Sequence, residues 1–319
     1  EGKALLFKEF ANVDAFPICV RVSSAEELIA VGQAIAPTFG GINLEDIAAP
    51  RCFEVERVLK ETLEIPVFHD DQHGTAVVVL AALRNAARVV GKPLDQMRVA
   101  MLGMGAAGVA CVKLLNHAGV ADIVGCDRAG IIHSGRDDLN EIKRDIATRT
   151  NRGHRTGDTA EAFRDADAFI GLSGPDTVDP KWVATMADDA IVFALANPVP
   201  EVMPERLPDN VAVVATGRSD YPNQINNVLV FPGIFRGLLD ARASAVDLDT
   251  ELTAAQALAD IVDDDALAAD YIVPSPFDER VVPAIANAVR AEVEAAGDTH
   301  NVEELHEPAG GGERAATQE

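Results

Sequence analysis

One glycine-rich stretch limits what this chain can fold into more than any other feature. Between the apolar run RVAML and the helical run VACVKLL stand Gly103, Met104, Gly105, Ala106, Ala107 and Gly108. A glycine turn between a strand and a helix lets the phosphates of a dinucleotide approach backbone N–H groups at the start of the helix. The stretch therefore predicts a dinucleotide site made by these six residues. A turn that only packs the helix on the strand is the alternative.

Strands and helices keep alternating after this turn. Apolar runs typical of strands recur in ADIVGCD, DAFIGLSG, AIVFALANP and VAVVATGR, with helical patterns between them. Such alternation is typical of a parallel sheet with helices on both faces. We predict an α/β protein in which residues 92–296 form a Rossmann-like doubly wound domain, closed by an acidic helical region from about residue 234. Residues 297–319 have few large apolar side chains and predict a disordered tail.

The first 91 residues repeat this pattern on a smaller scale and predict a second α/β lobe. The apolar runs FPICVRV and TFGGINL alternate with helical stretches in SSAEELIAVGQAIA and FEVERVLKETL. Ser23 or Ser24 stands before two acids, which is the pattern of a helix N-cap. The helix expected over residues 74–90 has little polarity before Arg84, so we predict that it is buried between the two lobes.

Composition narrows the choice of partners and of compartment. Lys and Arg number 27 against 51 Asp and Glu, a net charge of −24, so the surface repels nucleic acid and anionic membranes. Four cysteines lie far apart without a C-x-x-C pair, which predicts reduced thiols, no disulfide, no zinc site and a cytoplasmic location. The sequence starts with neither an initiator Met nor a signal peptide, and we expect a segment to precede it.

Two residues after the next strand bear on which dinucleotide binds. Asp127 ends that strand about 20 residues after the glycines, where an acid accepts a hydrogen bond from the adenosine 2′-OH and repels a 2′-phosphate. This position favours NAD. Arg128 follows at once and has the reach to bind a 2′-phosphate, so NADP stays open. Ser173, near the end of DAFIGLSG, is also expected at the cofactor.

Two pairs of acids follow two strands of the first lobe. Glu45 and Asp46 come after TFGGINL, and Asp70 and Asp71 come after IPVF. Open α/β sheets place their ligands just beyond the carboxyl ends of strands. Carboxylates gathered there without basic partners repel one another, and a hard divalent cation relieves that repulsion. The two pairs therefore predict a Mg²⁺ or Mn²⁺ site, with helix N-caps as the alternative.

Histidines and amides complete the candidate site. His69 and His73 flank the second acid pair, and a supporting or capping role is predicted for each rather than a catalytic one. Asn197 follows one strand of the second domain, and Asn226 and Asn227 precede another apolar run. A side-chain amide can donate a hydrogen bond to a substrate carboxylate without adding a charge. A turn-forming role before the following proline is the alternative for Asn197.

Seven stretches together resemble malic enzymes of the compact bacterial type. They are EGKALLFKEF, PTFGGINLEDI, IPVFHDDQHGTA, GMGAAG, ALANPVPE, ATGRSDYPNQINNVLVFPG and YIVPSPFDERV, and the likeness runs from residue 1 to about residue 290. The resemblance implies oxidative decarboxylation of (S)-malate to pyruvate and CO₂, with NAD or NADP and a divalent metal. We expect malate as the small-molecule partner and a homo-oligomer, most simply a dimer.

The resemblance also assigns roles to residues. Glu45, Asp46 and Asp71 fall where the family binds its metal, and Asp70 stands beside them as a further catalytic residue. Lys3 falls at the family's catalytic lysine, which takes the proton of the malate hydroxyl and must be neutral to do so. We expect burial and a nearby cation to lower its pKa. The three asparagines named above fall where the malate carboxylates bind.

One group that the family uses is missing from this sequence. The family pairs its lysine with an upstream tyrosine that protonates C3, and the only tyrosines here, Tyr221 and Tyr271, lie in no such motif. We therefore expect this chain to bind metal and dinucleotide yet to turn malate over slowly. Two other functions stay open. One is malolactic conversion of malate to lactate on a similar scaffold, and the other is a non-catalytic, dinucleotide-binding regulatory module.

Overall fold

Two sheets organise the part of the chain that the computed structural model describes, residues 1–299. The smaller sheet pairs β1 (Ile42–Leu44) and β2 (Val67–His69) in parallel. The larger sheet has six strands, which are β3 (Arg98–Leu102), β4 (Asp122–Asp127), β5 (Gly130–Ile131), β6 (Ala168–Gly171), β7 (Ala190–Ala194) and β8 (Val211–Thr216). Each apolar run that predicted a strand after residue 92 lies in this sheet.

The order of the strands in the large sheet identifies its topology. The spatial order is β5-β4-β3-β6-β7-β8, with β5 antiparallel to β4 and all other neighbours parallel. Counted along the chain, this is the order 3-2-1-4-5-6 of doubly wound dinucleotide-binding folds. The winding reverses between β3 and β6, and ligands of such sheets bind in the crevice beyond the carboxyl ends of strands there. The predicted α/β fold is confirmed.

Eleven helices pack around the two sheets within residues 1–299. They are α1 (Gly2–Ala11), α2 (Ala25–Ile35), α3 (Arg51–Thr62), α4 (Thr75–Val90), α5 (Ala106–His117), α6 (Glu141–Arg149), α7 (Thr159–Phe163), α8 (Pro180–Val183), α9 (Phe231–Ala241), α10 (Leu248–Ala259) and α11 (Val281–Ala296). Ser24 caps α2 by accepting a hydrogen bond from Glu27 N at 3.2 Å, so the predicted N-cap is confirmed.

Helix α4 lies at the centre of the core. Its residues 76–83 are each at most 1% exposed. It packs against α5 of the large-sheet domain and against α10, while α9 packs on α1 and on α11. The burial of α4 is confirmed, and the C-terminal helices fold back onto the first lobe. Among the described residues, no helix combines the length and the apolarity needed to cross a membrane.

The predicted strand at FPICVRV does not form. Residues 12–22 have no strand or helix structure, and Phe16 and Ile18 are 69% and 47% exposed. The alternating apolar side chains are typical of a strand, but a strand also needs a neighbour for its backbone hydrogen bonds. Within residues 1–299, the small sheet consists of β1 and β2 alone, so the segment FPICVRV does not pair with either edge of it.

The chain remains tied to the body of the protein just after α11. Asp298 O accepts a hydrogen bond from Ser244 N at 3.0 Å. The rest of the predicted tail, residues 300–319, lies outside the described residues.

Candidate active site

Both acid pairs lie at one edge of the small sheet. Glu45 and Asp46 directly follow β1, Asp70 and Asp71 directly follow β2, and the two strands run parallel. Their carboxyl ends are therefore neighbours. Asp46 N donates a hydrogen bond to Asp71 Oδ2 at 2.8 Å, which links the two pairs. The structure brings together the four acids that the sequence placed at two strand ends, and we call them the acidic cluster.

Asp70 is the most deeply buried member of the acidic cluster. It opens a single π-helical turn, Asp70–Gly74, between β2 and α4, a geometry that is common at functional sites. A Cβ atom at Gly74 would lie 1.9 Å from Asp70 Oδ1, so only glycine fits there. Asp70 is 0% exposed, and its Oδ1 has no hydrogen-bond partner among the described residues. Burial raises the pKa of Asp70 to about 7, although Lys3 opposes the shift.

Lys3 reaches from α1 into the acidic cluster. Its Nζ donates a hydrogen bond to Asp70 Oδ2 and lies 2.8 Å from Glu45 Oε2. Burial acts to lower the pKa of Lys3, but Asp70 and Glu45 outweigh it, so the pKa is raised. The expected lowering of the Lys3 pKa is therefore wrong when only the charged groups of the protein are considered. That expectation placed a cation beside the amine, whereas the neighbouring side chains are two carboxylates.

Helix capping does not account for the acidic cluster. No side chain caps the N-terminus of α3, of the turn Asp70–Gly74 or of α4. The capping alternative is therefore contradicted, since the acids that would have served as caps contact Lys3 or each other instead.

The acidic cluster has the donors of a divalent-metal site without a finished coordination sphere. Carboxylate oxygens are the ligands that Mg²⁺ and Mn²⁺ prefer, and the buried Asp70 Oδ1 lacks any other partner. Within residues 1–299, however, no three His, Cys, Asp or Glu side chains are grouped so that they could hold a metal ion. The ammonium of Lys3 lies among the carboxylates. The donor set fits a hard cation. To coordinate it, these side chains would have to change their orientation.

His73 ties the turn that carries Asp70 to two other elements. Its Nε2 lies 2.6 Å from Glu56 Oε1 on α3, and its Nδ1 lies 2.7 Å from Glu251 Oε1 on α10. Burial would lower the pKa of His73, but Glu251 and Glu56 raise it to about 9. Burial would likewise raise the pKa of Glu56, and His73 brings it down to about 2. His73 is thus an imidazolium that fixes the turn between two buried carboxylates.

His69 lies closer to the acidic cluster but forms no comparable pair. It ends β2, is 0% exposed, and its Nδ1 is 3.8 Å from Asp71 Oδ2. Burial lowers the pKa of His69, so the ring is neutral. The contacts of both histidines agree with the supporting roles predicted for them.

The three asparagines are only partly brought together. Asn227 donates a hydrogen bond to Asp70 Oδ2, which places it in the acidic cluster. Asn226 is adjacent, and its Oδ1 accepts a hydrogen bond from Val228 N at 3.0 Å. Asn197 lies exposed in the loop after β7, where its side chain makes no hydrogen bond within the described residues.

The three glycines of the turn after β3 have different neighbours. Gly103 has φ of 105°, and a Cβ atom there would lie 2.3 Å from Leu172 O, just past β6. A Cβ atom at Gly108 would lie 1.9 Å from Gly103 O. A Cβ atom at Gly105 would meet nothing within 4 Å. Two glycines are thus needed for packing, while Gly105 leaves open space at the start of α5.

Asp127 is held by two cations that the sequence analysis missed. Arg136 Nη1 and Nη2 lie 2.8 and 3.2 Å from its two carboxylate oxygens, and Lys143 Nζ lies 2.6 Å from Oδ2. Burial would raise the pKa of Asp127, but these donors lower it to about 2. Arg128 is exposed and has no ion pair or side-chain hydrogen bond among residues 1–299. No local motif indicated Arg136 and Lys143, which β5 and α6 bring to Asp127.

Glu201 is a second residue that the sequence analysis left without a role. It is 0% exposed and accepts hydrogen bonds from Ser173 N at 2.8 Å and from Ala196 N at 3.0 Å. These bonds join the loops after β6 and β7 at the crevice where a dinucleotide would bind. The acid at the end of ALANPVPE was the available signal.

Comparisons with known proteins identify the family of the chain. The family described as malic enzyme, NAD binding domain, matches residues 72–294. An NAD-dependent malic enzyme of Geobacillus stearothermophilus is 53% identical over 311 residues. The chain belongs to the malic enzyme family. The resemblance found in the sequence is thereby confirmed.

Two further malic enzymes show how much of the chain is similar. A bifunctional malic/malolactic enzyme of Bacillus subtilis is 50% identical over 291 residues, which cover 91% of this chain and 71% of the relative. The crystal structure of malic enzyme from Pyrococcus horikoshii matches with a TM-score of 0.89 at 46% identity, over 95% of this chain and 73% of that one. The Geobacillus match covers 98% of this chain but 64% of that protein, so the chain spans less than two thirds of its length.

Proposed function

We propose that this member of the malic enzyme family oxidises and decarboxylates (S)-malate to pyruvate and CO₂ with a nicotinamide dinucleotide and Mg²⁺ or Mn²⁺. The observation that carries the proposal is the contact of Lys3 with Asp70 inside the acidic cluster. A basic amine, a buried carboxyl group and the carboxylate of Glu45 meet there, and Asp46 and Asp71 stand beside them at the same strand ends. The high identity to named malic enzymes supports the same conclusion.

The proposed metal ligands are Glu45, Asp46 and Asp71, with Asp70 beside them. A divalent cation at this position would bind the oxygens of malate, acidify its 2-hydroxyl group and stabilise the charge that develops when CO₂ leaves. The four acids come from two strand ends, and His73 fixes the turn that carries one pair. The four acids are proposed to hold the divalent cation and to orient it toward malate.

Proton transfer is the task proposed for Lys3 and Asp70. Lys3 Nζ accepts the proton of the malate 2-hydroxyl group, and it can do so only after giving up its own proton. Asp70 Oδ2 is hydrogen-bonded to that amine, so it is the side chain placed to receive the proton that the amine gives up. Asn227 donates to the same carboxylate oxygen and keeps it in place.

The dinucleotide is proposed to bind across the crevice between β3 and β6. Backbone N–H groups at the start of α5 face the pyrophosphate, and Gly105 leaves room for it. The nicotinamide ring supplies the acceptor for the hydride from C2 of malate. Ser173 is fixed by Glu201 at the end of β6, and Asp127 ends β4, where the adenosine ribose lies in such folds. Asp127 favours NAD over NADP.

Neither tyrosine of residues 1–299 is proposed as the proton donor for C3. Tyr221 donates its hydroxyl to Glu205 Oε1 at 2.6 Å, away from Lys3. Backbone atoms of Tyr271 pair with Ala268. Neither tyrosine contacts Lys3 or the four acids within residues 1–299.

Malolactic chemistry is a second candidate because of one observation. The Bacillus subtilis relative is described as both a malic and a malolactic enzyme. The same acids and lysine would serve both reactions, since each begins with oxidation at C2. The products separate them: the malolactic reaction yields lactate and no net reduced nicotinamide.

The assembly and location of the protein are also proposed. We infer a homodimer, supported by exposed large apolar side chains, which are Leu5, Phe16, Ile18, Val20 and Phe277. We infer a cytoplasmic location, supported by four free cysteines. Sedimentation velocity tests the first inference, and a monomer at micromolar concentration would contradict it. Cell fractionation tests the second.

The experiment that tests the proposed function measures products from (S)-malate with NAD and with NADP, each with and without Mn²⁺. It uses the protein with whatever sequence its gene encodes before Glu1. Pyruvate and reduced nicotinamide in equal amounts, dependent on Mn²⁺, are the expected result. Lactate without reduced nicotinamide would favour the malolactic reaction. No conversion of malate would contradict both.

A further inference from the structure

A cavity lies at the far ends of α4 and α10 from the acidic cluster. It measures about 430 Å³, and its charged lining consists of Arg84, Arg88, Lys92 and Asp260. Volumes of roughly 300–1,000 Å³ are typical of sites for small molecules. Three cations and one acid line it, but Arg88 and Lys92 pair with Asp264 and Asp167, so Arg84 is the lining cation without an ion pair among residues 1–299.

Arg84 is the cation in this cavity whose donors are free. Within residues 1–299 its guanidinium has no hydrogen-bond acceptor and no ion pair, and its Nε is buried. Arg88 and Lys92 are engaged, since Arg88 bonds Asn85 Oδ1 at 2.5 Å and pairs with Asp264, and Lys92 pairs with Asp167. A buried guanidinium donor without a partner is costly.

The free donors of Arg84 suit an anion with matching geometry. Burial lowers the pKa of Arg84, and Asp260 acts only in part against that effect. Gln256 already donates to Asp260 Oδ1 at 2.6 Å, so that carboxylate is shared. A guanidinium fork binds phosphate or carboxylate oxygens through two parallel N–H donors.

The remaining wall of the cavity is apolar. It is formed by Ala87, Pro93, Leu94 and Ala259. Inorganic phosphate alone would leave this wall uncovered, whereas the organic part of a phosphate ester would cover it. We propose that the cavity binds a phosphate monoester of nucleotide size, with its phosphate on Arg84 and its organic part against this apolar wall.

The cavity is separate from the proposed dinucleotide site. Pro93 and Leu94 precede β3, so they lie at the amino edge of the large sheet. Gly103 and Gly105 follow β3, at the carboxyl edge. The two sites therefore occupy opposite edges of the sheet, and the inference does not depend on the proposed function.

Calorimetric titration with AMP tests this proposal. Saturating NADH is added first, so that AMP cannot occupy the dinucleotide site. We expect one AMP bound per chain in the wild type and in the control Arg57→Gln, whose arginine is 60% exposed on α3 and pairs with Glu61. Arg84→Gln should weaken AMP binding at least about tenfold, because hydrogen bonds to charged groups contribute that much.

A second variant keeps the test decisive if Arg84→Gln does not fold. Arg84→Lys retains the charge and loses the planar fork, so it should weaken AMP binding by a smaller factor. Inorganic phosphate should bind more weakly than AMP to the wild type. Absence of saturable AMP binding, equal affinities in all variants, or equal affinities for AMP and inorganic phosphate would each overturn the proposal.

Discussion

Lys3 and Asp70 are 67 positions apart in the chain, yet a hydrogen bond joins their side chains at the centre of the acidic cluster. The contact depends on the packing of α1, whose Phe7 ring lies 4.8 Å from the ring of Phe231 on α9. Lys3 Nζ also lies 4.4 Å above the ring of Phe231. The C-terminal helices therefore help to hold the proposed catalytic lysine against the acids of the first lobe.

Asp71→Asn should weaken Mn²⁺ binding by at least about 100-fold, because losing even an outer-shell partner of a metal ligand costs about 10–100-fold. Turnover of malate should nearly vanish, while NADH binding should change little. Titration of Mn²⁺ followed by electron paramagnetic resonance measures the affinity. Asp14→Asn is the matched control, since Asp14 is 76% exposed and pairs with Lys8. Normal Mn²⁺ affinity in Asp71→Asn would remove Asp71 from the proposed ligands.

Two alanine substitutions separate packing from cofactor binding in the glycine turn. Gly108→Ala should destabilise the fold by about 1–3 kcal/mol or more, because its Cβ would overlap Gly103 O. Gly105→Ala should leave the free energy of unfolding within about 0.5 kcal/mol, because nothing lies within 4 Å, yet it should weaken NADH binding. Urea unfolding and fluorescence titration with NADH provide the two readings. Unchanged NADH affinity in Gly105→Ala would show that the turn only packs α5 on β3.

Asp127→Ser should shift preference from NAD toward NADP by about tenfold or more, judged by kcat/KM. The substitution removes the acceptor for the 2′-OH and frees Arg136 and Lys143 for a 2′-phosphate. Asp138→Ser is the control, because Asp138 also pairs with Arg136 but is 60% exposed. If both variants keep the wild-type ratio, Asp127 does not contact the ribose.

His73→Gln should destabilise the protein by about 3–5 kcal/mol, because it leaves Glu251 buried without its cation and leaves Glu56 with Lys60 alone. The raised pKa of His73 means that its stabilising effect is complete below pH 6.5 and is lost as pH rises through about 9. The difference in Tm between wild type and His73→Gln should therefore shrink in that range. His117→Gln, in an exposed pair with Asp249, serves as the control. A pH-independent difference would contradict an imidazolium at His73.

The large sheet was predictable from the sequence because its strands are buried on both faces. Runs such as AIVFA in β7 are fully buried and apolar without interruption. This pattern is typical of strands in a parallel sheet that is covered on both faces. The run FPICVRV has a similar composition, but whether it pairs depends on a neighbouring strand that no local pattern specifies. Local sequence patterns therefore predict the strands that are buried on both faces. They fail for a segment such as FPICVRV, whose pairing depends on a strand that is distant in the sequence.

The candidate site was predictable to the extent that it follows strand ends. Glu45 and Asp71 were placed together because parallel strands end at the same edge of a sheet. The approach of Lys3 came from the family resemblance, since no spacing brings α1 to that edge. The contacts of His73 with Glu251 and of Asp127 with Arg136 depend on how separate elements pack, so the sequence alone did not indicate them.

The most direct test of malic enzyme activity is the stoichiometry of product formation from (S)-malate as Mn²⁺ is added, in wild type and in Lys3→Met. We expect one pyruvate for each reduced nicotinamide in the wild type, strict dependence on Mn²⁺, and a rate lower by about 10²–10⁴-fold in Lys3→Met, the usual contribution of a general base. Equal rates in the two proteins, or conversion of malate that persists without a divalent metal, would contradict the roles given to Lys3 and to the acidic cluster.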